Sequence, residues 1–187
     1  MDTDHPPLVA EATARARAQA FPYSCDPVTG RLLAVLAARV PPSGHVLEIG
    51  TGLGVGTAWI TTGLLPRTDV TVITVEQDAA RSARAAEGDW PTFVHFHIGE
   101  VPPLGLGPFD LIFADAAAGK HEGLEATIAA LAPRGTLVVD DMRPMPDWPA
   151  DFAERQHGVR RALFAHADLV AAELSDGSGV ILATRRG

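Results

Sequence analysis

The sequence predicts an α/β fold: a mostly parallel seven-stranded sheet with one antiparallel strand and helices on both faces. Three observations predict it. From residue 45 onward, short apolar or β-branched runs alternate with helical segments, the pattern of parallel strands joined by crossover helices. The last two runs are joined by the turn "DGSG" instead of a helix, so a hairpin closes the sheet and one strand is reversed. Four glycines, Gly50, Gly52, Gly54 and Gly56, directly follow the first run, where such sheets turn from strand to helix.

The elements follow in order. Residues 8–20 are alanine-rich and read as a helix with its arginines on the outer side. "FPYSCDP" breaks it. From Thr29 the apolar positions Leu32, Leu33, Val35, Leu36 and Val40 recur at helical spacing, until "PPSG" stops them. Strands are predicted at 45–49, 69–76, 93–99, 109–115 and 135–141. Gly54 to Leu64 reads as the helix after the first strand, and Asp78 as the cap of the helix after the second. Leu124, Ile128 and Leu131 mark a further helix that "APRG" ends, and a helix to about Ala165 precedes the hairpin of 168–175 and 179–185. The expected organisation is one domain over 1–187, with N-terminal helices in 1–40 and the sheet core in 45–185.

Composition narrows the function classes. A hydrophobic content of 47% with 20% charged residues is that of a globular chain. The net charge of −8 argues against a nucleic-acid partner, which needs a basic surface for phosphate contacts. Cys25 is the sole cysteine, which fits a reducing compartment. The acidic, proline-containing start resembles no signal peptide, and no apolar run reaches the roughly 18 residues of a membrane span. No membrane partner and a cytoplasmic location are therefore expected.

The glycine run identifies the ligand class. Dinucleotide binders carry G-x-G-x-x-G, but here the sixth position from Gly50 is Val55 and from Gly52 is Thr57. The run is instead G-x-G-x-G behind Glu48. "LEIGTGLGVGT" resembles motif I of the class I S-adenosylmethionine (SAM)-dependent methyltransferases, which implies their Rossmann-like fold and SAM as cofactor. In that resemblance Glu48 helps to hold the ammonium end of SAM, and Gly50, Thr51, Gly52, Gly54 and Thr57 belong to its binding loop. An acidic mouth suits a ligand that carries an ammonium and a sulfonium. Glu76 ends the second strand, 26 residues after Gly50, where an acid accepts hydrogen bonds from a ribose diol. Gln77 follows it. After the third strand, Gly99 and Glu100 of "HIGE" match the loop that brackets the adenine ring in these methyltransferases.

Acids also end the fourth and fifth strands. Asp115, Asp140 and Asp141 converge on one cleft, where three carboxylates repel one another unless protons or a cation intervene; hard oxygen ligands suit Mg2+ or Ca2+. With "FADAAAGKHEG", "VVDDM" and "YSCDPVTGRLL" the chain resembles the cation-dependent O-methyltransferases of the catechol and caffeoyl-CoA type. The resemblance implies Asp115, Asp140 and Asp141 as metal ligands, Asp115 and Lys120 as catalytic residues, and Tyr23, Ser24 and Cys25 as SAM contacts. It also implies a homodimer. Two departures stand out. Lys120 follows Asp115 by five positions where the family has three, and Asp141 stands where the family has Asn. His121 is an alternative base. Met142, Arg143, Met145 and Trp148, with Tyr23, are candidates for an acceptor pocket.

The function expected is SAM-dependent O-methyl transfer to a small-molecule hydroxyl. Two alternatives remain open: an NAD(P)-dependent oxidoreductase, and a non-catalytic SAM- or nucleoside-binding module.

Overall fold

The structure, a computed structural model, describes residues 5–100 and 107–187. The first four residues of the acidic start lie outside them. Two helices, α1 (Pro7–Ala18) and α2 (Pro27–Ala37), precede an alternation of β1 (His45–Ile49), α3 (Val55–Leu64), β2 (Thr71–Glu76), α4 (Ala79–Ala86), β3 (Val94–Ile98) and β4 (Phe109–Ala114). Then come α5 (Ala117–Lys120), α6 (Leu124–Ala129), β5 (Leu131–Val139), α7 (Ala150–Ala165), β6 (Leu169–Leu174) and β7 (Val180–Arg185). The strands form one seven-stranded sheet in the order β3-β2-β1-β4-β5-β7-β6. β7 runs antiparallel to both of its neighbours, and every other pairing is parallel. The predicted single reversed strand is therefore β7.

Strand alternation sorts the side chains between two layers. In β1, Leu47 and Ile49 join the cluster that packs on α6 and α7 through Leu124, Ile128, Val159 and Leu163. Val46 turns to the other face and packs with Leu33 and Ala37 of α2 and Ile60 and Leu64 of α3. α1 lies outside α3, burying Val9, Ala12 and Ala16 against Leu53, Ala58 and Trp59. Asp26 caps α2 by accepting the N–H groups of Val28 and Thr29, and Asp78 caps α4 through the N–H of Arg81, as its position predicts. No helix among the described residues is long and apolar enough to cross a membrane.

Two expectations need correction. Leu131 is not helical: α6 ends at Ala129, and Leu131 opens β5 beside Phe109. The ladder then skips, because Leu111 pairs with Thr136, and residues 132–135 bulge opposite Asp110. Pro133 has no N–H to give the ladder and Arg134 is left-handed at φ 66°, so the apparent helix stop is a bulge within a strand. The second correction concerns α1. Arg17 faces solvent, but Arg15 turns inward, its Nε donating to Leu53 O at 3.2 Å and its guanidinium lying over the Trp90 ring.

Candidate active site at the carboxyl ends of the strands

Every predicted site residue lies at or near the carboxyl ends of β1, β2, β3, β4 and β5 or on the segment before α2. The glycine loop joins β1 to α3 with Gly50, Gly52 and Gly54 at φ 108°, 54° and 88°, a backbone path that side chains oppose. Its amides turn into the protein. Gly50 and Thr51 donate to Val75 O at 2.9 and 3.1 Å, and Gly52 donates to Glu76 Oε2 at 2.9 Å. Three N–H groups of the loop are thus already bonded within the protein. Gly56 serves packing, since a Cβ there would strike the Glu48 carboxylate and the Phe113 ring.

Glu48 shares its strand face with Val46, so it points beneath the loop and into the α2–α3 layer. It is 1% exposed and lies outside the cleft wall. Its Oε2 accepts from Thr74 Oγ1 at 2.6 Å and from Thr57 Oγ1, while Oε1 is buried without a partner. Burial pushes its pKa up to about 7 against the two threonine bonds. Thr57 is fully buried in this cluster, and Thr51 joins it through Thr74 at 2.5 Å. Gly54 caps α3 and packs near Trp90. Glu48, Thr57 and Gly54 therefore shape the loop from below.

Glu76 does reach the cleft. Oε2 holds Gly52 N–H, Oε1 accepts from Asp78 N–H at 3.0 Å, and Arg81 pairs with it at 3.2 Å. Gln77, Gly99 and Glu100 stand with it around a cavity of about 560 Å3, closed opposite by Ala116–Ala118. A cavity of about 600 Å3 adjoins it and is lined by Tyr23, Ser24, Cys25, Asp115, Lys120, Asp140 and Asp141 among others. Burial, followed by the nearby Asp140 and Asp115 charges, pushes the Cys25 thiol well up, which removes it as a nucleophile.

The three aspartates meet as predicted, each offering an oxygen within 4.8 Å of the others. Burial and then the Asp140 charge raise the Asp115 carboxyl well above the usual range. Asp140 is raised to about 6, chiefly by burial and by Asp141, although Ser178 Oγ and the Asp141 N–H at 2.7 Å both donate to its Oδ1. Asp141 is left-handed at φ 59°, a conformation that Asp and Asn tolerate best. Lys120, 3% exposed, ends α5 and donates to Asp140 O at 3.1 Å and Asp141 Oδ2 at 2.8 Å. This leaves Asp115 and one oxygen each of Asp140 and Asp141 without a described hydrogen bond, a hard, anionic donor set that fits a divalent cation.

Sequence reasoning missed part of the wall. Phe21, Asp26, Arg81, Phe152 and Ser178 also line the second cavity. Asp26 is legible only as a helix cap and Ser178 only as a turn residue. His121 lines the same wall, tied to Gln156 Oε1 at 3.1 Å, and Gln156 in turn donates to Asp141 O at 2.7 Å. Beyond Asp141, a more apolar cavity of about 430 Å3 brings Tyr23, Arg143, Met145 and Trp148 together with Phe152. Met142 is not part of it, being fully buried in the core.

A family model described as a methyltransferase domain matches residues 47–142, from β1 through the aspartates after β5. The chain belongs to this methyltransferase family. A catechol O-methyltransferase of Mycobacterium tuberculosis is 31% identical over 144 residues, 74% of this chain and 65% of that protein, so the chain spans just under two thirds of such a relative. Among solved structures, the O-methyltransferase TomG of Streptomyces achromogenes, in complex with SAM, superposes with a TM-score of 0.79, at 24% identity, over 98% of this chain and 91% of that one. An O-methyltransferase of Bacillus cereus in complex with S-adenosylhomocysteine (SAH) superposes with a TM-score of 0.77, at 21% identity, over 100% and 94%. The family match holds the glycine loop, Glu76, Asp115, Lys120 and the aspartate pair. The Tyr23–Cys25 segment and Ser178 fall outside it.

Proposed function

We propose that this methyltransferase transfers the methyl group of SAM to a hydroxyl oxygen of a small-molecule acceptor. The observation that carries the reading is one continuous cleft, in which the glycine loop and Glu76 adjoin Asp115, Lys120, Asp140 and Asp141. The named functions of the catechol O-methyltransferase relative and of the SAM- and SAH-bound neighbours point the same way. A nicotinamide dinucleotide is disfavoured. The loop lacks the G-x-G-x-x-G spacing of dinucleotide binders, and its Gly50, Thr51 and Gly52 N–H groups are taken.

In this reading SAM lies between the glycine loop and Gly99–Glu100, its ribose diol on Glu76 and its sulfonium toward Tyr23–Cys25 and Asp115. The cleft is lined by Glu76, Glu100, Asp115, Asp140 and Asp141, which suits a cationic donor. The acceptor enters over Tyr23, Met145, Trp148 and Phe152. Its oxygen attacks the methyl in line with the departing sulfur while its proton passes to a base; the C–S bond breaks and SAH remains. Lys120, in its neutral amine form, is the candidate base, held at the wall by Asp140 O and Asp141. A divalent cation held by Asp115, Asp140 and Asp141 would lower the acceptor's pKa and orient it.

Calorimetric titration with SAH and with NAD+, each with and without Mg2+, tests the reading. SAH binding with NAD+ silent is the expected result. NAD+ binding alone overturns it. SAH binding without methylation across a panel of hydroxylated acceptors would leave only a binding module.

A further inference from the structure

Residues 21–26 cross the mouth of the cleft between two anchors. At one end Phe21 presses on the glycine loop, where a Cβ on Gly52 would stand 3.0 Å from its ring, and Arg81 lies over the same ring at 5.4 Å. At the other end is Asp26. One of its oxygens caps α2, accepting from Val28 N–H at 2.8 Å and Thr29 N–H at 3.2 Å. The other accepts from Thr29 Oγ1 at 2.8 Å, Ser178 Oγ at 2.9 Å and Ser178 N–H at 3.2 Å. Between the anchors no hydrogen bond to another segment is described, and the chain is held by packing, Cys25 against the core and Tyr23 edge-on to Phe21 at 5.8 Å. The Tyr23 side chain is 80% exposed, and the only hydrogen bond described for the Cys25 thiol is a local one to Asp26 O.

The Ser178 hydroxyl also stands in short hydrogen-bond contact with Asp140 Oδ1, so its single proton is shared between the Asp26 and Asp140 carboxylates. Ser178 is itself well placed to act as a fixed post. The turn that carries it is clamped to the chain after β5, with Met142 N–H on Gly179 O at 2.8 Å and Arg143 N–H on Ser178 O at 3.0 Å. Gly177, at φ 64°, brings that turn against Asp26; a Cβ there would stand 2.6 Å from Asp26 Oδ1.

We propose that Ser178 is a positioning residue: by bridging Asp26 and Asp140 it holds the 21–26 segment in place over the cleft and registers it against the carboxylate end. It need not touch substrate. It acts through Asp26, whose placement decides where Tyr23, Ser24 and Cys25 stand. The consequence for the donor rests on the function proposed above, since those three residues would border the sulfonium.

The test uses the full chain and the variants Ser178→Ala and Ser178→Thr. Hydrogen exchange at the amides of Val28 and Thr29, which donate to Asp26, reads whether Asp26 keeps its place, and calorimetry reads SAH affinity. Ser178→Ala is expected to speed exchange at these amides and to weaken SAH binding, each by about ten-fold, the scale of one hydrogen bond to a charged group. Exchange in β1, β2 and β4 is expected to stay as in the wild type, and Ser178→Thr, which keeps the hydroxyl, to restore both readouts. Should Ser178→Ala not fold, Asp26→Asn replaces it. Asn keeps a cap acceptor for α2 while putting a donor where Ser178 now donates. Unchanged exchange at Val28 and Thr29 overturns the proposal. So does faster exchange with SAH affinity within two-fold of the wild type. A wild-type chain that binds no SAH refutes the proposed function, and the tether then stands or falls on the exchange data alone.

Discussion

At Glu48 strand alternation decides what a carboxylate can do. The residue belongs to the Val46 face of β1, so it is buried under the glycine loop with Thr57 and Thr74 instead of opening into the cleft. Its pKa rises from 4.5 to about 7, so between those values the folded chain binds more protons than the unfolded one. Its contribution to stability is therefore full below pH 4.5 and is lost as the pH rises through about 7. Asp140 acts in the same direction, from 3.8 to about 6. Denaturant unfolding should accordingly show stability falling from about pH 4 to about pH 7. Glu48→Gln should flatten that fall by on the order of 3 kcal/mol; an unchanged slope would show that Glu48 ionises freely in the fold. Lys120 makes the contrasting case. It is almost wholly enclosed while its partner Asp141 is half in solvent, so Lys120→Met should cost only about 1–2 kcal/mol in the same assay. If it is the base, turnover should fall by about 100-fold or more with SAH affinity nearly kept. That Lys120 belongs to the site was legible from its place after Asp115, but its ion pair was not, because Asp141 lies across a strand crossover.

Among the elements, the α2–α3 pair shows how close packing is encoded. Gly63 of α3 sits on the Ala34 backbone of α2, so that an added Cβ would overlap a main-chain carbonyl. Gly158 in α7 has open space around its missing Cβ. The two substitutions should therefore differ in sign. Gly158→Ala is expected to stabilise by about 0.5–1 kcal/mol, from helix propensity alone. Gly63→Ala should destabilise by about 1–3 kcal/mol, because the overlap is with backbone that has no rotamer to escape into. Thermal melts of the two variants check this. The strand–helix alternation, the hairpin and the Asp78 cap were readable from pattern and turn residues, while the Asp26 cap was not read. The boundary at Leu131 was not. Leu124, Ile128 and Leu131 suit a helix by spacing, and only the ladder beside Phe109 takes Leu131 into a strand. Arg15 is a similar case: alanine-rich periodicity gives no sign of Trp90, which reaches α1 from the far end of α4.

On the scale of the molecule, a chain of net charge −8 gathers three carboxylates at one end of its sheet and partly balances them with a single lysine. A divalent cation should relieve that repulsion. Mg2+ at ten times its Kd should raise stability by about 1.4 kcal/mol through mass action, and the gain should vanish in Asp140→Ala. Equal stabilisation of both proteins in a thermal-shift titration would remove the cation from the site. Chain order carried a good deal of this. Alternating strands and helices imply a parallel sheet, such a sheet puts its strand ends on one side, and acids at those ends must therefore meet. These properties are local or topological, so spacing and residue type express them. Folding alone settled which acids face the cleft and which are entombed, and it joined Asp26 to Ser178 across 152 positions. Such choices depend on contacts between segments far apart in the chain, and no local pattern of residues records them.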